Sequence, residues 1–172
     1  VNGLNLADVV INVSGSTSVY VMTDTEGGYT LNLPIGGSYT LTPWRSNYTF
    51  EPVAVSTEGL LSDWRYVDFA ATLNNYPVSG SVTANGLPLA GATVTVSGST
   101  DTFTLTGDDG AFSVLLPGDG TYSLAPAYTG YSFIPASYSS VTLSGAWAGN
   151  SFMAGHTASG SVTVGGTALD SV

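Results

Sequence analysis

Apolar and hydroxyl-bearing side chains alternate with a period of two along much of this 172-residue chain. Ala92-Thr-Val-Thr-Val96, Phe103-Thr-Leu105, Phe112-Ser-Val-Leu115, Tyr122-Ser-Leu124 and Val141-Thr-Leu143 each set apolar side chains on one face and hydroxyls on the other, which predicts β-strands. No stretch carries the spacing of an amphipathic helix longer than a turn. Gly, Pro, Asn and Asp punctuate the apolar runs at short intervals, the rhythm of a β-sandwich. Asp109-Gly110 and Glu26-Gly27 place a glycine where a turn needs positive φ, and Pro34, Pro43, Pro52, Pro117, Pro126 and Pro135 end strands or protect edges.

The pattern is written twice. At an offset of 83, residues 2–71 align with 85–154 without a gap, and 26 of these 70 columns are identical. They include Val13-Ser-Gly-Ser-Thr17 with Val96-Ser-Gly-Ser-Thr100, Leu33-Pro34 with Leu116-Pro117, Trp64 with Trp147 and Phe69 with Phe152. A third copy starts near the end, where Ser79-Gly-Ser-Val-Thr83 recurs as Ser159-Gly-Ser-Val-Thr163 at an offset of 80. The expected organisation is a first sandwich repeat over 1–76, a second over 77–156, and the first strand of a third over 157–172. The fold class is all-β: two tandem seven-stranded antiparallel Greek-key sandwiches, the first lacking its N-terminal strand and a spare equivalent strand at the C-terminus.

Composition narrows the partners. Twelve acidic residues stand against two arginines and no lysine, a formal charge of −10. Such a chain has no basic patch to neutralise phosphates, so a nucleic-acid partner is excluded, and an anionic membrane surface is disfavoured. No run of 18 apolar residues is present, so membrane insertion is not expected. At 43% hydrophobic residues, with ten tyrosines and three tryptophans, the chain has enough apolar surface to fold. Zero cysteine removes disulfides, thiol chemistry and thiolate metal sites together.

The ordered motifs resemble one family. Ser-Gly-Ser-Val-Thr, Asn85-Gly-Leu-Pro-Leu-Ala-Gly-Ala92, Thr106-Gly-Asp-Asp-Gly-Ala-Phe112, Leu116-Pro117, Gly120-Thr-Tyr-Ser-Leu124, Gly130-Tyr-Ser-Phe-Ile-Pro135 and Asn150-Ser-Phe152 look like the carboxypeptidase regulatory-like family. That resemblance implies transthyretin-like, Ig-like β-sandwiches found in tandem in bacterial surface and secreted proteins, in spacer, stalk or interaction roles. The first copy departs from it at Asp8, opposite Gly91, and at Asn47, opposite Gly130. Related collagen-adhesin B-type domains lock themselves through a lysine–asparagine isopeptide bond, which this lysine-free chain cannot form.

Catalysis is hard to build from this inventory. The single histidine, His156, falls in the connection after the second repeat and reads as a solvated residue; no nucleophile-elbow pattern accompanies it. No cofactor motif is present. Asp108 and Asp109, with Asp119 in the next loop, offer at most a weak calcium site, because calcium loops need more carboxylates on alternating positions. Aromatic residues kept by both copies, Tyr39 and Tyr122, Tyr48 and Tyr131, Phe50 and Phe133, Trp64 and Trp147, read as core, as does Tyr20 opposite Phe103. Trp44 beside Arg45 is specific to the first copy and is the candidate surface contact, for a protein or the face of a sugar. Asn12-Val-Ser14 and Asn47-Tyr-Thr49 fit the glycosylation sequon.

A sandwich without one strand exposes unpaired backbone groups and opens its core. The expected donors of the missing strand are Ser159, Gly160, Ser161, Val162, Thr163 and Val164, acting on copies of the chain itself or on adjacent repeats of the same polypeptide. The expected function is a structural repeat unit of an extracellular bacterial filament or surface stalk, with a carbohydrate- or protein-binding adhesion module as the alternative.

Overall fold

The computed structural model describes residues 5–140, 142–156, 159–160, 163–164 and 167–168. The described residues contain strands and turns and no helix. The chain is all-β, as the alternation predicts. It divides into two compact units, one of Val1–Tyr76 with Pro117–Asp119, the other of Pro77–Leu116 with Gly120–Val172.

In the first unit β1 (Val10–Gly15), β2 (Val19–Met22), β3 (Tyr39–Trp44) and β5 (Val55–Thr57) form an antiparallel sheet in the order β2-β1-β3-β5. β4 (Tyr48–Glu51) pairs with β6 (Ala70–Leu73) in a separate two-stranded ribbon. The core collects Val9, just before β1, with Ile11, Val13, Tyr39 and Leu41, inward positions of β1 and β3.

The second unit repeats this plan and adds to it. β9 (Thr93–Gly98), β10 (Thr102–Leu105), β12 (Tyr122–Ala127) and β14 (Tyr138–Ser139) give the sheet β10-β9-β12-β14, the counterpart of the first unit's four strands. Facing it, β7 (Asn75–Ala84), β11 (Ala111–Pro117), β13 (Ser132–Ile134) and β15 (Trp147–Gly155) are ordered β11-β7-β15-β13, with β8 (Leu87–Pro88) against β7. β7 is therefore central, with Val78 and Val82 fully buried. The last hairpin, β16 (Thr163–Val164) with β17 (Thr167–Ala168), pairs Thr163 with Ala168 and Val164 with Thr167.

Three expectations need correction. The β7–β15 pair is parallel, with Gly80 opposite Asn150 and Val82 opposite Phe152, whereas an antiparallel sandwich was expected. First and last strands of a repeat are separated by the whole repeat, so no tight turn forces them antiparallel. Tyr20 and Phe103 lie on the outer face, 70% and 65% exposed. Each pairs with a residue, Asn12 or Thr95, whose side chain already points outward. Thr142 and Leu143 lie outside any strand, and Val141 is outside the described residues; Leu143 is nonetheless buried, and its amide donates to Gly120 O at 2.8 Å.

The repeat also holds at the level of φ. Asp8 (57°) and Asn47 (64°) keep the left-handed backbone of Gly91 (72°) and Gly130 (85°), a conformation that Asp and Asn tolerate better than other side chains. Both units bury one threonine at the same repeat position. Thr23 Oγ1 accepts from Val9 N (3.0 Å) and donates to Leu6 O (2.7 Å); Thr106 Oγ1 accepts from Ala92 N (2.9 Å) and donates to Leu89 O (2.6 Å).

Candidate functional site

What the first unit lacks, among its described residues, is the counterpart of β7, and the loss spreads to its neighbours. Segment 28–34 is the repeat equivalent of β11 and has the same alternation, yet it forms no strand. In the second unit β11 is an edge strand whose place in the sheet rests on β7 alone. Remove that partner and the backbone of 28–34 has nothing to pair with. Likewise residues 64–69, equivalent to the first part of β15, are not in a strand, whereas 70–73 remain paired with β4.

Between these two walls runs a groove of about 840 Å³. Its apolar lining includes Tyr29, Leu31, Leu33, Leu60, Trp64 and Val67. A second cavity of about 450 Å³ reaches the core at Val9, Ile11 and Phe69. Phe112, Leu116, Leu143 and Phe152 are buried in the second unit. Their equivalents Tyr29, Leu33, Leu60 and Phe69 are only half-buried. The difference is the apolar surface that a central strand would cover.

The second unit shows how such a strand is held. Asn150, 2% exposed, donates through Nδ2 to Ser79 O at 3.0 Å and to Trp147 O at 3.2 Å. Ser81 Oγ lies 3.3 Å from Ser151 Oγ. Gly80 crosses so close to β15 that a Cβ there would sit 1.9 Å from Asn150 O and 2.7 Å from Phe112 Cζ. In the first unit Tyr29 Oη donates to Val67 O at 2.7 Å, joining the two walls of the groove. Burial, and then the negative charge of Asp68, raise the Tyr29 phenol above its ordinary value. Tyr29 is not among the residues singled out from the sequence; the hydroxyl it carries opposite Phe112 was the available signal.

The other predicted positions fall as follows. Ser159 and Gly160 are exposed, and a Cβ on Gly160 would meet nothing within 4 Å. Ser161 and Val162 lie outside the described residues, and Thr163 and Val164 form β16. Trp44 is 61% exposed. Arg45 donates to Ala7 O and lies 5.1 Å over the Tyr48 ring. Asp109 Oδ1 accepts from Ala111 N at 3.0 Å and closes its turn. No group of three or more His, Asp or Glu residues that could hold a metal occurs among the described residues. His156 stacks on Tyr131 with ring centroids 5.0 Å apart.

Chitinase ChiA of Flavobacterium johnsoniae is 30% identical over 137 residues, 77% of this chain and 9% of that protein, so the chain spans under a tenth of this curated relative's length. Among solved structures, the Bacillus anthracis TIE protein superposes with a TM-score of 0.68 at 16% identity, over 87% of this chain and 31% of that one, which places the two in one fold. The minor pilin of Streptococcus agalactiae aligns more loosely, with a TM-score of 0.42 at 13% identity over 93% and 87% of the two chains. Residues 77–147 match the model of the carboxypeptidase regulatory-like domain, so this part of the chain is similar to that family.

Proposed function

We propose that this chain is a structural repeat unit of an extracellular bacterial filament or surface stalk, without catalytic activity, in which a neighbouring unit supplies the central strand of the first sandwich. Segment 159–164 is the donor. The observation that carries this reading is the groove: the first unit keeps the strands of its repeat except where β7 or its partners would lie. In the second unit β7 buries Val78 and Val82 completely. Two such side chains contribute roughly 3–6 kcal/mol, a large part of the few to ten kcal/mol typical of an 80-residue domain. A strand in the groove, from an adjacent repeat of the same polypeptide or from a second copy, would add burial of this kind to the first unit. Because the contact is head to tail, it propagates into a fibre unless its rotation closes a ring.

Light scattering across a concentration series, with negative-stain microscopy, tests this directly. End-to-end association that disappears on deleting residues 158–172 supports strand completion; monomers at high concentration, or association indifferent to the deletion, sink it. A second reading, a module that contacts glycan, draws on the exposed Trp44 and the match to a chitinase. Glycan binding lost in Trp44→Ala and independent of assembly would favour it.

A further inference from the structure

The corner of the second unit where β12 leads into β13 is built on a turn that the first unit repeats. Tyr131 N donates to Tyr128 O at 3.1 Å with Gly130 at φ 85°, and Tyr48 N donates to Arg45 O at 3.3 Å with Asn47 at 64°. What the turn carries differs. In the first unit Arg45 lies over Tyr48 and donates to Ala7 O, so one side chain spans from the turn to the segment before β1. Its repeat equivalent is Tyr128, while Gly91 and Thr93 stand for Asp8 and Val10. Among the described residues no hydrogen bond links Tyr128 to Ala90, the equivalent of Ala7. A pocket of about 690 Å³ opens there instead, lined by Gly91, Thr93, Thr129 and the rings of Tyr128, Tyr131 and Phe133. That volume lies within the roughly 300–1,000 Å³ of small-ligand sites.

We propose that this corner binds a neutral β-1,4-linked glycan of all-equatorial pyranose units, one ring of which stacks on Tyr131 against Tyr128. Tyr131 is half-buried, and His156, which does not line the pocket, stacks on its ring with centroids 5.0 Å apart. Tyr128 meets Tyr131 edge-on, at 5.8 Å and 65°. Two rings at that angle give a ligand a flat apolar surface and a side wall, which suits the C–H face of a pyranose. The phenol groups of Tyr29, Tyr39, Tyr76 and Tyr138 each donate within the chain. Those of Tyr128 and Tyr131, and the hydroxyls of Thr93 and Thr129, make no hydrogen bond among the described residues, so they are open to the rim hydroxyls of a sugar. No described lining residue is charged and the chain carries −10, so an anionic ligand is repelled and a cation finds no carboxylate. A proline-rich peptide also lies on aromatic rings but offers acceptors without donors at its prolines, whereas a sugar hydroxyl exchanges both with these groups. Gly91, Tyr128 and Thr129 are exposed, which lets an extended chain of equatorial rings run on past the one that is seated. The site depends neither on strand completion nor on Trp44, whose repeat equivalent is Ala127.

Isothermal titration calorimetry of the full chain with cellotetraose reads this out, with tetragalacturonate and a proline decapeptide as comparison ligands. The expected result is saturable binding of cellotetraose alone. Tyr128→Ala should weaken it about 5- to 10-fold, the weight of one stacked ring. Thr93→Val, which installs the first unit's Val10, should weaken it about 5-fold through the loss of one net hydrogen bond. Tyr128→Arg should abolish it by spanning the corner as Arg45 does. Tyr128 is 40% exposed, so its variants should melt with the parent chain, and Trp44→Ala should bind as the parent does. No binding of cellotetraose, binding of tetragalacturonate or the peptide as tight as that of cellotetraose, or parental affinity in both Tyr128 variants overturns the proposal. Binding lost in Trp44→Ala and kept in both Tyr128 variants overturns it too, while the glycan reading based on Trp44 stands. Strand completion is read by assembly and is untouched by either result.

Discussion

Replacing Gly80 by alanine separates packing from local sequence. In an ordinary strand Gly→Ala stabilises by roughly 0.5–1 kcal/mol, because alanine loses less backbone freedom on folding. Here the new Cβ would lie 1.9 Å from Asn150 O, a backbone atom that cannot swing away. Normal carbon–oxygen approach between strands is about 3.3 Å. β7 and β15 would have to part by more than 1 Å at the centre of the sheet, loosening Val78 and Val82. Overpacking on this scale outweighs the entropic gain, and the expected loss is about 2–4 kcal/mol. For a domain of this size that lowers the melting temperature by about 10–25 °C. Gly160→Ala, in the identical Ser-Gly-Ser-Val-Thr context, meets open space and should change unfolding by less than about 0.5 kcal/mol. Urea titrations read by Trp147, in chain carrying Trp44→Phe and Trp64→Phe, report the second unit alone. A loss below about 1 kcal/mol at Gly80, or an equal loss at Gly160, refutes the reasoning.

Other perturbations address each unit separately. Thr23→Val and Thr106→Val each strand a buried amide and remove the donor to a carbonyl, so each should cost its own unit about 2–3 kcal/mol in urea titrations, with the serine variants losing less than half of that. Asn150→Ala withdraws the donor shared by Ser79 O and Trp147 O and should destabilise the second unit by about 2 kcal/mol by the same assay. Tyr29 gives the first unit an alkaline dependence. Its folded phenol holds its proton more tightly than the unfolded one, so stability is full below the ordinary phenol value of about 10 and falls as pH rises past it toward the folded value. Melts of the chain across that range should show the fall, and Tyr29→Phe should remove the part that Tyr29 causes.

Much of the fold was legible because turns leave hard marks. Gly15 and Gly98, and Gly27 and Gly110, have positive φ in both copies, so the columns that revealed the repeat also set its bends. The misplacement of Tyr20 has a physical source: Val19-Tyr-Val-Met22 is apolar at every position, and alternation within such a run does not say which parity faces inward. The parallel β7–β15 pair was hidden because pairing between distant strands leaves no local pattern. Segment 28–34 reads as a strand as clearly as 111–117 does. It forms none because a strand is defined by its partner as much as by its own residues. The Tyr29–Val67 bond was not legible, since a Tyr–Phe exchange in an alignment looks conservative until the hydroxyl is seen bonded across the groove.

The central claim is that residues 159–164 of one copy enter the groove of another, and a disulfide reports it most directly in a protein free of cysteine. In the second unit Ser81 stands opposite Ser151 with their hydroxyls 3.3 Å apart. The equivalent pair across a seated donor strand is Ser161 of one chain and Asp68 of the next. Chains carrying Ser161→Cys, distinguished by a mass tag, are mixed with chains carrying Asp68→Cys and oxidised under mild conditions. Strand entry predicts a mixed disulfide dimer that forms faster than with a Glu58→Cys partner and is suppressed by excess peptide 157–168. Mixed dimer no more abundant than with the Glu58→Cys control, and unaffected by the peptide, would contradict it.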